Sequence, residues 1–332
     1  MSASKTSLLK RRCGFAILLF STFLWIVTTV FFIGVWDHVA AVTTFPQWSW
    51  ALVGSLCAMI AWRLLGRAAR LPVVLLALWL LATLLFADNL LPVARGLVHG
   101  STPANPVPAG TFRIVTLNCA SSSSAAAEVM QFKPDLVLLQ ESPTSNEVVR
   151  LAREWFGDTA SFLVGLDCAI VSRHPLRALE TRLSVHYTRA VVSLSGDREA
   201  MVTSLRLTPP IGNMDLWNPA TWRAYLEDRR LRKGQLRSVL DAPSIKTDLP
   251  EIMGGDFNAP AGDGIYRLLG RFRDAHREVG HGWGNTALNT LPFFRPDQIW
   301  LRRLLPVSSH AVRTVHSDHR MVVVDALLEP RP

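Results

Sequence analysis

The chain has only four cysteines in 332 residues. None falls in a metal-binding spacing, which excludes a cysteine-ligated metal centre. Cys13 and Cys57 lie in long apolar runs. Cys119 and Cys168 fall in short strand-like segments, where a buried thiol acts as a small apolar group. An oxidising compartment would permit a Cys119–Cys168 disulfide, but two thiols are the expectation. No internal repeat is present. Acid is scarce at the start: the first hundred residues hold two, Asp37 and Asp88, against eight Lys and Arg (Lys5, Lys10, Arg11, Arg12, Arg63, Arg67, Arg70 and Arg95). The remainder holds 27 bases and 24 acids, after those residues are taken from totals of 35 and 26. The net charge of +9 therefore comes mostly from residues flanking apolar segments. It does not mark a large nucleic-acid-binding face.

Three apolar runs fill that acid-poor region: 13–36, 48–65 and 71–91. About 20 apolar residues cross a hydrocarbon core, so residues 1–91 read as a membrane region with three transmembrane helices. The first run is long, lacks a small-x-small cleavage site and is followed by further spans, unlike a cleaved signal peptide. Lys5 to Arg12 precede it, the loop 37–47 has no Lys or Arg, and Arg63 interrupts the second run near its end, with Arg67 and Arg70 after it. The positive-inside rule places the N-terminus and the 63–70 turn in the cytoplasm, and everything after Leu91 outside.

Residues 92–110 are rich in Pro and Gly and read as a linker. From Thr111 to about residue 330 the pattern is that of a folded domain. Phe112–Leu117, Asp135–Leu139, Cys168–Val171, Ala190–Leu194, Met201–Leu207, Glu251–Gly254, Gln298–Leu301 and Met321–Leu328 read as strands. Ala220–Leu240 reads as a helix, and Ser121–Ser124 as a helix N-terminus. Adjacent hairpin-like runs argue for sheets flanked by helices, not a parallel βαβ repeat.

Four apolar strands end in polar groups: at Asn118, at Glu141, at Gly255-Asp256-Phe257-Asn258, and at Ser317-Asp318-His319 just ahead of a strand. Strand ends hold such groups rigidly at a rim, so four of them suggest one converging site. The ordered set Thr116-Leu117-Asn118, Leu139-Gln140-Glu141, Gly255-Asp256-Phe257-Asn258, Asp297-Gln298-Ile299 and Ser317-Asp318-His319, with Cys168-Ala169-Ile170-Val171-Ser172-Arg173-His174-Pro175-Leu176, resembles the endonuclease/exonuclease/phosphatase superfamily over residues 111–328. The resemblance implies a four-layer α/β sandwich, two packed mixed sheets flanked by helices, preceded here by a helical transmembrane region. The membrane-anchored arrangement is similar to that of bacterial members of the superfamily with an extracytoplasmic catalytic domain, including the VanJ-type teicoplanin-resistance proteins.

The resemblance also implies roles. Glu141 is the chief ligand of a divalent metal, Mg²⁺ or alternatively Mn²⁺, with Asp318 completing the metal and water network. Mg²⁺ takes oxygen ligands and keeps several waters, so one or two carboxylates suffice. Asp256 orients or deprotonates the attacking water. Asn258 binds a phosphate oxygen, and alternation puts it on the same side of the chain as Asp256. His319 contacts the scissile phosphate, Asp297 holds its ring and favours its charged form, and Asn118 hydrogen-bonds within the carboxylate cluster. One residue departs from the pattern: Arg206 stands where the family commonly has a histidine. Arginine binds phosphate oxygens but is no general acid near neutral pH. His186 and His316 read as surface histidines.

Arg223, Arg229, Arg230, Arg232 and Lys233 form a basic helix. With Glu227 and Asp228 interspersed it reads as a solvated face ahead of a lipid-headgroup or nucleic-acid site. Trp217, Trp222 and Trp283 suit a substrate wall, a bilayer interface or the core. Together these readings lead to a metal-dependent phosphoesterase in a bacterial inner membrane. Its substrate is a phosphate ester, with a membrane lipid or isoprenoid phosphate ahead of DNA or RNA. A sensor or scaffold with an impaired site is the other alternative. No protein partner follows from the sequence.

Overall fold

The structure is a computed structural model that describes residues 2–66, 69–99, 108, 110–179, 184–194, 198–242 and 248–329. Arg67 and most of 100–110 lie outside the described residues. The chain forms two compact units. One comprises Met1–Ala87, Gly212–Glu227 and Gly262–Gly264, and the other the remaining residues.

The first unit holds α1 (Ser2–Gly34), α2 (Ala40–Thr43), α3 (Gln47–Leu65) and α4 (Leu71–Phe86). Ser7–Gly34 and Gln47–Leu65 are each long and apolar enough to cross a membrane. The third expected span falls short. α4 has 16 residues, which at about 1.5 Å per residue is less than a hydrocarbon core. It reaches the needed length only when counted with Leu90–Val98, beyond a break in the helix. Small residues let the helices pack closely: Ala51, Ala58 and Ala61 are buried in one cluster with Leu18, Leu75 and Trp79. The Trp79 indole donates to Ser21 Oγ, and Ser21 in turn donates to the Gly54 carbonyl. Leu19, Phe23, Leu52, Leu56 and Leu85 point outward.

The second unit begins with α5 (Leu90–His99), where a linker is expected from the sequence. Its Pro92 sits in the first turn, where a missing N–H costs nothing. Arg95 explains why the segment is fixed: its two terminal nitrogens donate to the carbonyls of Gly280 and Arg277 at 2.9 and 2.7 Å. There follow β1 (Phe112–Asn118), α6 (Ser123–Ala127), β2 (Leu136–Gln140), α7 (Ser145–Phe156), β3 (Ser161–Val164), β4 (Cys168–Ser172), β5 (Leu176–Ala178), β6 (Tyr187–Leu194), β7 (Arg198–Arg206), α8 (Pro219–Asp241), β8 (Glu251–Asp256), β9 (Arg273–Asp274), α9 (Ala275–Val279), β10 (Asp297–Arg302), β11 (Leu304–Val312) and β12 (Met321–Leu328). The first turns of α8 belong to the first unit and the rest to the second.

Two six-stranded sheets result, in the orders β11-β12-β1-β2-β4-β3 and β5-β6-β7-β8-β10-β9. Each is mixed: β1–β2 and β7–β8 are parallel and the other pairs antiparallel. Successive residues of a strand face opposite sides, and the core divides accordingly. Ile114, Leu136, Leu138, Val202, Ile252, Ile299 and Val322 pack between the sheets. Val115, Leu117, Val137 and Leu139 face outward against α6 and α7. Leu205, Met253 and Phe257 face outward against Leu236 and Val239 of α8. These are the two packed mixed sheets flanked by helices that the motif order implies.

The basic helix is a solvated face only in part: Arg223 and Arg230 are exposed and Lys233 is half-buried. Arg229 and Arg232 are buried at 0% and 1% exposure, and Arg232 pairs with Asp228 at 2.7 Å. Their aliphatic stems and paired heads suit packing against the domain. Trp217 is 86% exposed, so it takes no part in the core.

Candidate active site

The inward face of each central strand changes from apolar to polar along its length. The series are Ile114–Thr116–Asn118 in β1, Leu138–Gln140 in β2, Val202–Ser204–Arg206 in β7, Ile252–Gly254–Asp256 in β8, and Leu301–Ile299–Asp297 in the antiparallel β10. Register aligns the polar ends: Asn118 pairs with Gln140, Arg206 with Asp256, and Asp256 with Asp297. Below them a buried polar bridge joins the sheets. Thr116 Oγ1 donates to Gln140 Oε1, and Gln140 Nε2 donates to Ser204 Oγ.

On this floor the expected residues meet. Asn118 Nδ2 donates to Glu141 Oε1 at 3.0 Å and to Asp256 Oδ2 at 3.1 Å. Glu141 is the residue after β2 and has φ +41°, a left-handed turn that takes it off the strand's alternation. The backbone N–H of Asn258 donates to Asp256 Oδ1 at 2.9 Å. Its side-chain amide donates to the Leu207 carbonyl at 2.7 Å, so one of its two amide protons is already committed to the backbone. Asp297 Oδ2 lies 2.7 Å from His319 Nδ1. Asp256, Asp297 and His319 each offer a ligand atom within 4.8 Å of the others.

Asp318 is different. Its carboxylate is exposed and lines a groove with Leu288, Asn289, Leu291, Arg313 and Val315. Its backbone carbonyl accepts from the Asn289 N–H, and its charge helps to raise the His319 pKa.

Three residues that sequence reasoning passed over complete the arrangement. Thr286 Oγ1 donates to Asp297 Oδ2 at 2.5 Å. Asp167, immediately before β4, lies 3.4 Å from Arg206. Its place at a strand end is the same signal that singled out Glu141. Asn289 binds the carbonyls of Thr314 and Ser317, while Ser317 Oγ donates to the Asn118 carbonyl at 2.6 Å. Together they fix the loop that carries His319. No pattern in the sequence marks Thr286 or Asn289.

Arg206 Nη2 lies 2.7 Å from Glu141 Oε1. His186 engages Gln235, with 3.2 Å between their Nε2 atoms, and His316 pairs with Glu128. Cys119 and Cys168 are free and buried, and burial pushes both thiols up.

Charge and burial set the protonation states. Burial raises the Asp256 carboxyl to about 6, and neighbouring Asp297 adds to this, against the pull of His319 and of hydrogen bonds from Asn258 and Asn118. Burial alone would lower His319, but Asp297, with its hydrogen bond, and then Asp256 outweigh it and raise the imidazole to about 10.

Two carboxylates and an imidazole at this spacing can coordinate a divalent cation. Asp297 Oδ1 also fits that use, since it is buried with no hydrogen-bond partner among the described residues, and a buried carboxylate oxygen is costly to leave unpaired. Oxygen-rich donors suit a hard ion of the Mg²⁺ or Mn²⁺ kind.

Comparison with known proteins agrees with this geometry. The model of the endonuclease/exonuclease/phosphatase family matches residues 115–319, and the chain belongs to that family. Among solved structures, an endonuclease/exonuclease/phosphatase from Beutenbergia cavernae DSM 12333 is 19% identical, covers 67% of this chain and 72% of its own, and superposes with a TM-score of 0.50. A functionally unknown conserved protein from Enterococcus faecalis V583 is 16% identical over 66% of this chain and 100% of its own, with a TM-score of 0.52. The endonuclease/exonuclease/phosphatase from Bacteroides vulgatus is 15% identical over 66% and 99%, with a TM-score of 0.51. At these identities the likeness is one of fold. No curated protein matches.

Proposed function

We propose that the protein is a membrane-anchored, divalent-metal-dependent phosphoesterase whose catalytic domain works at the outer face of a bacterial inner membrane. The observation that carries the reaction class is the Asp256–Asp297–His319 cluster, set at the polar end of the inter-sheet core in a chain of this family. A bound Mg²⁺ or Mn²⁺ supplies neutralisation of charge on the phosphoryl oxygens. Glu141 is assigned as its main protein ligand, joined to Asp256 through Asn118.

Asp256 takes the proton of the attacking water. A carboxyl near pKa 6 is mostly ionised at neutral pH yet basic enough to accept that proton. His319, at about 10, is an imidazolium near neutral pH and meets the scissile phosphate. Asp297 positions the ring through Nδ1. Asn258 offers a phosphate oxygen its second amide proton. Asp318, exposed at the groove, contributes charge rather than a ligand bond.

The substrate we favour is a lipid or isoprenoid phosphate. Supporting this are the two long apolar helices and the groove of about 720 Å³ beside Asp318, where Leu288, Leu291 and Val315 are exposed. Tethering raises the effective concentration of membrane-bound substrates. The test is Asp256→Ala in the purified protein. Metal-dependent hydrolysis should disappear while the thermal midpoint stays, and full residual activity overturns the mechanism. A panel of plasmid DNA, sphingomyelin, phosphatidylinositol and a polyprenyl diphosphate separates the substrate classes. Cleavage of DNA alone overturns the lipid assignment. A reporter fused after Pro332 tests placement, and a cytoplasmic signal there overturns it.

A further inference from the structure

We propose that Arg206 makes this site selective for phosphoanhydrides, in which the leaving group is itself a phosphate, over esters that must expel an alkoxide. The inference rests on the phosphoesterase reading above and narrows its substrate class.

Arg206 ends β7 as the register partner of Asp256 on parallel β8. Neighbouring strands lie about 4.8 Å apart, so the arginine rises beside the residue assigned to the attacking water. Its Nη2 is 2.7 Å from Glu141 and its Nη1 3.4 Å from Asp167. Two carboxylates thus fix the guanidinium from different elements. Each terminal nitrogen still carries a second N–H, and the side chain is 24% exposed. The site therefore presents a rigid, partly open fork of positive charge.

That fork cannot give up a proton. His319 and His186 are otherwise engaged. His319 is bound to Asp297. The His186 carbonyl accepts from the Arg206 N–H, while its ring meets Gln235.

Leaving-group basicity then decides what can be cleaved. An alkoxide is about as basic as hydroxide, whose conjugate acid has a pKa of about 15.7, and it needs a proton as the P–O bond breaks. A departing phosphate group has a relevant pKa of about 6 and leaves as an anion. It needs charge stabilisation, which a guanidinium fork supplies to two oxygens at once. In the step, the water oxygen bonds to phosphorus and its proton passes to Asp256. The bridging P–O bond breaks, its electron pair stays on the bridging oxygen, and the phosphate departs against Arg206. No further proton or co-reactant is required.

The experiment compares three substrates of the full chain in detergent with Mg²⁺: an alkyl diphosphate, a p-nitrophenyl alkyl phosphodiester, and the dialkyl phosphodiester of the same alkyl group. The first two should exceed the third in kcat/KM by about 100-fold or more, the size of a general-acid contribution. Arg206→His supplies a titratable donor and should narrow that gap about tenfold or more by raising the dialkyl rate. Arg206→Gln should slow the diphosphate more than the dialkyl ester. His186→Gln should leave the ratio unchanged. A wild-type ratio near one, or a ratio that Arg206→His does not move, overturns the selectivity and leaves the phosphoesterase standing. Collapse of dialkyl hydrolysis in His186→Gln overturns it too, by making His186 the donor. Hydrolysis of none of the three overturns the phosphoesterase reading and this inference with it.

Discussion

Asp297 meets His319 with 2.7 Å between Oδ2 and Nδ1, and the same oxygen takes the Thr286 hydroxyl at 2.5 Å. One residue opens β10 and the other stands just ahead of β12, so the pair ties the second sheet to the first. The carboxylate offsets the burial that would otherwise discharge the ring, and the imidazole is raised to about 10. In the mechanism proposed above, Asp297 acts through His319, as a positioning residue.

Asp297→Asn should lower the His319 pKa from about 10 toward the ordinary value, because the largest favourable influence on the cation is removed while burial remains. Asp256 should fall as well, since Asp297 is one cause of its elevation. Both limbs of the pH–rate profile then move down. The alkaline limb moves further, because His319 loses both a charge partner and a hydrogen bond. Ring titration by NMR measures the shift directly, and an unchanged His319 pKa would remove Asp297 from the proposed role. The loss in kcat should be about 10²-fold or more.

The metal assignment makes a separate prediction. A protonated ring cannot bind a cation, and His319 is protonated below about 10. Near pH 7 the Glu141 carboxylate is therefore the better anchor. Glu141→Gln should weaken Mg²⁺ or Mn²⁺ binding by about tenfold or more, on the scale of pairing a carboxylate with a hard cation. His319→Gln should leave it nearly intact. Calorimetry at two pH values separates the cases. If His319 were a ligand, binding would release a proton and strengthen steeply with pH, and that result would move the metal to the Asp256–Asp297–His319 cluster.

The sequence readings worked where one-dimensional patterns carry the physics. Short apolar, strand-like runs, alternating in β1, placed β1, β2, β4, β6, β7, β8, β10 and β12 to within a few residues, because each is apolar enough to stand out from its polar flanks. Polar strand ends then led to Asn118, Glu141, Asp256 and His319, and the family resemblance added Asp297; the structure brings these residues together. β3, β5 and β9 escaped, being short edge strands with few buried residues, and the longer edge strand β11 escaped as well. The buried arginines of α8 escaped for another reason. Composition reads Arg229 and Arg232 as solvent-loving, yet both are buried, Arg232 against Asp228 and the Thr208 carbonyl. Asp318 adjoins His319 in the chain, yet neighbouring residues at a turn point in different directions, and its carboxylate faces the groove. Thr286 sits 11 residues before its partner, in a loop with no periodicity to read.

Two adjacent glycines should respond differently to the same change. Gly255 has φ +146°, and a Cβ there would lie 1.9 Å from the backbone oxygen of Leu205 on the neighbouring strand. Backbone cannot yield locally, so Gly255→Ala should cost about 2 kcal/mol or more in stability and disturb the adjoining Asp256. At Gly254 the added Cβ meets the tip of Leu138 at 2.6 Å, a side chain that can rotate. Gly254→Ala should cost less. Denaturant midpoints rank the two, and equal losses would contradict the steric account.

His276 predicts an acid limit on stability that is separate from activity. Burial, reinforced by the Arg295 cation, lowers its pKa to about 3 despite nearby Asp274. Its ring meets Ser309 Oγ at 3.3 Å. The folded protein therefore keeps this imidazole neutral well below the pH at which the unfolded chain protonates it. Between about 6.5 and 3 the unfolded state holds the extra proton, so stability rises with pH across that window and is lost as pH falls. The slope is at most about 1.4 kcal/mol per pH unit from this one group. Asp274, held below its ordinary value by Arg295 against the effect of burial, adds its own loss only further down, below about 3.8. The two contributions separate by pH: His276→Gln should flatten the dependence of the thermal midpoint between pH 6 and 4 and leave the steeper fall below that range. A variant with the wild-type slope from 6 to 4 would show that other groups set the acid limit.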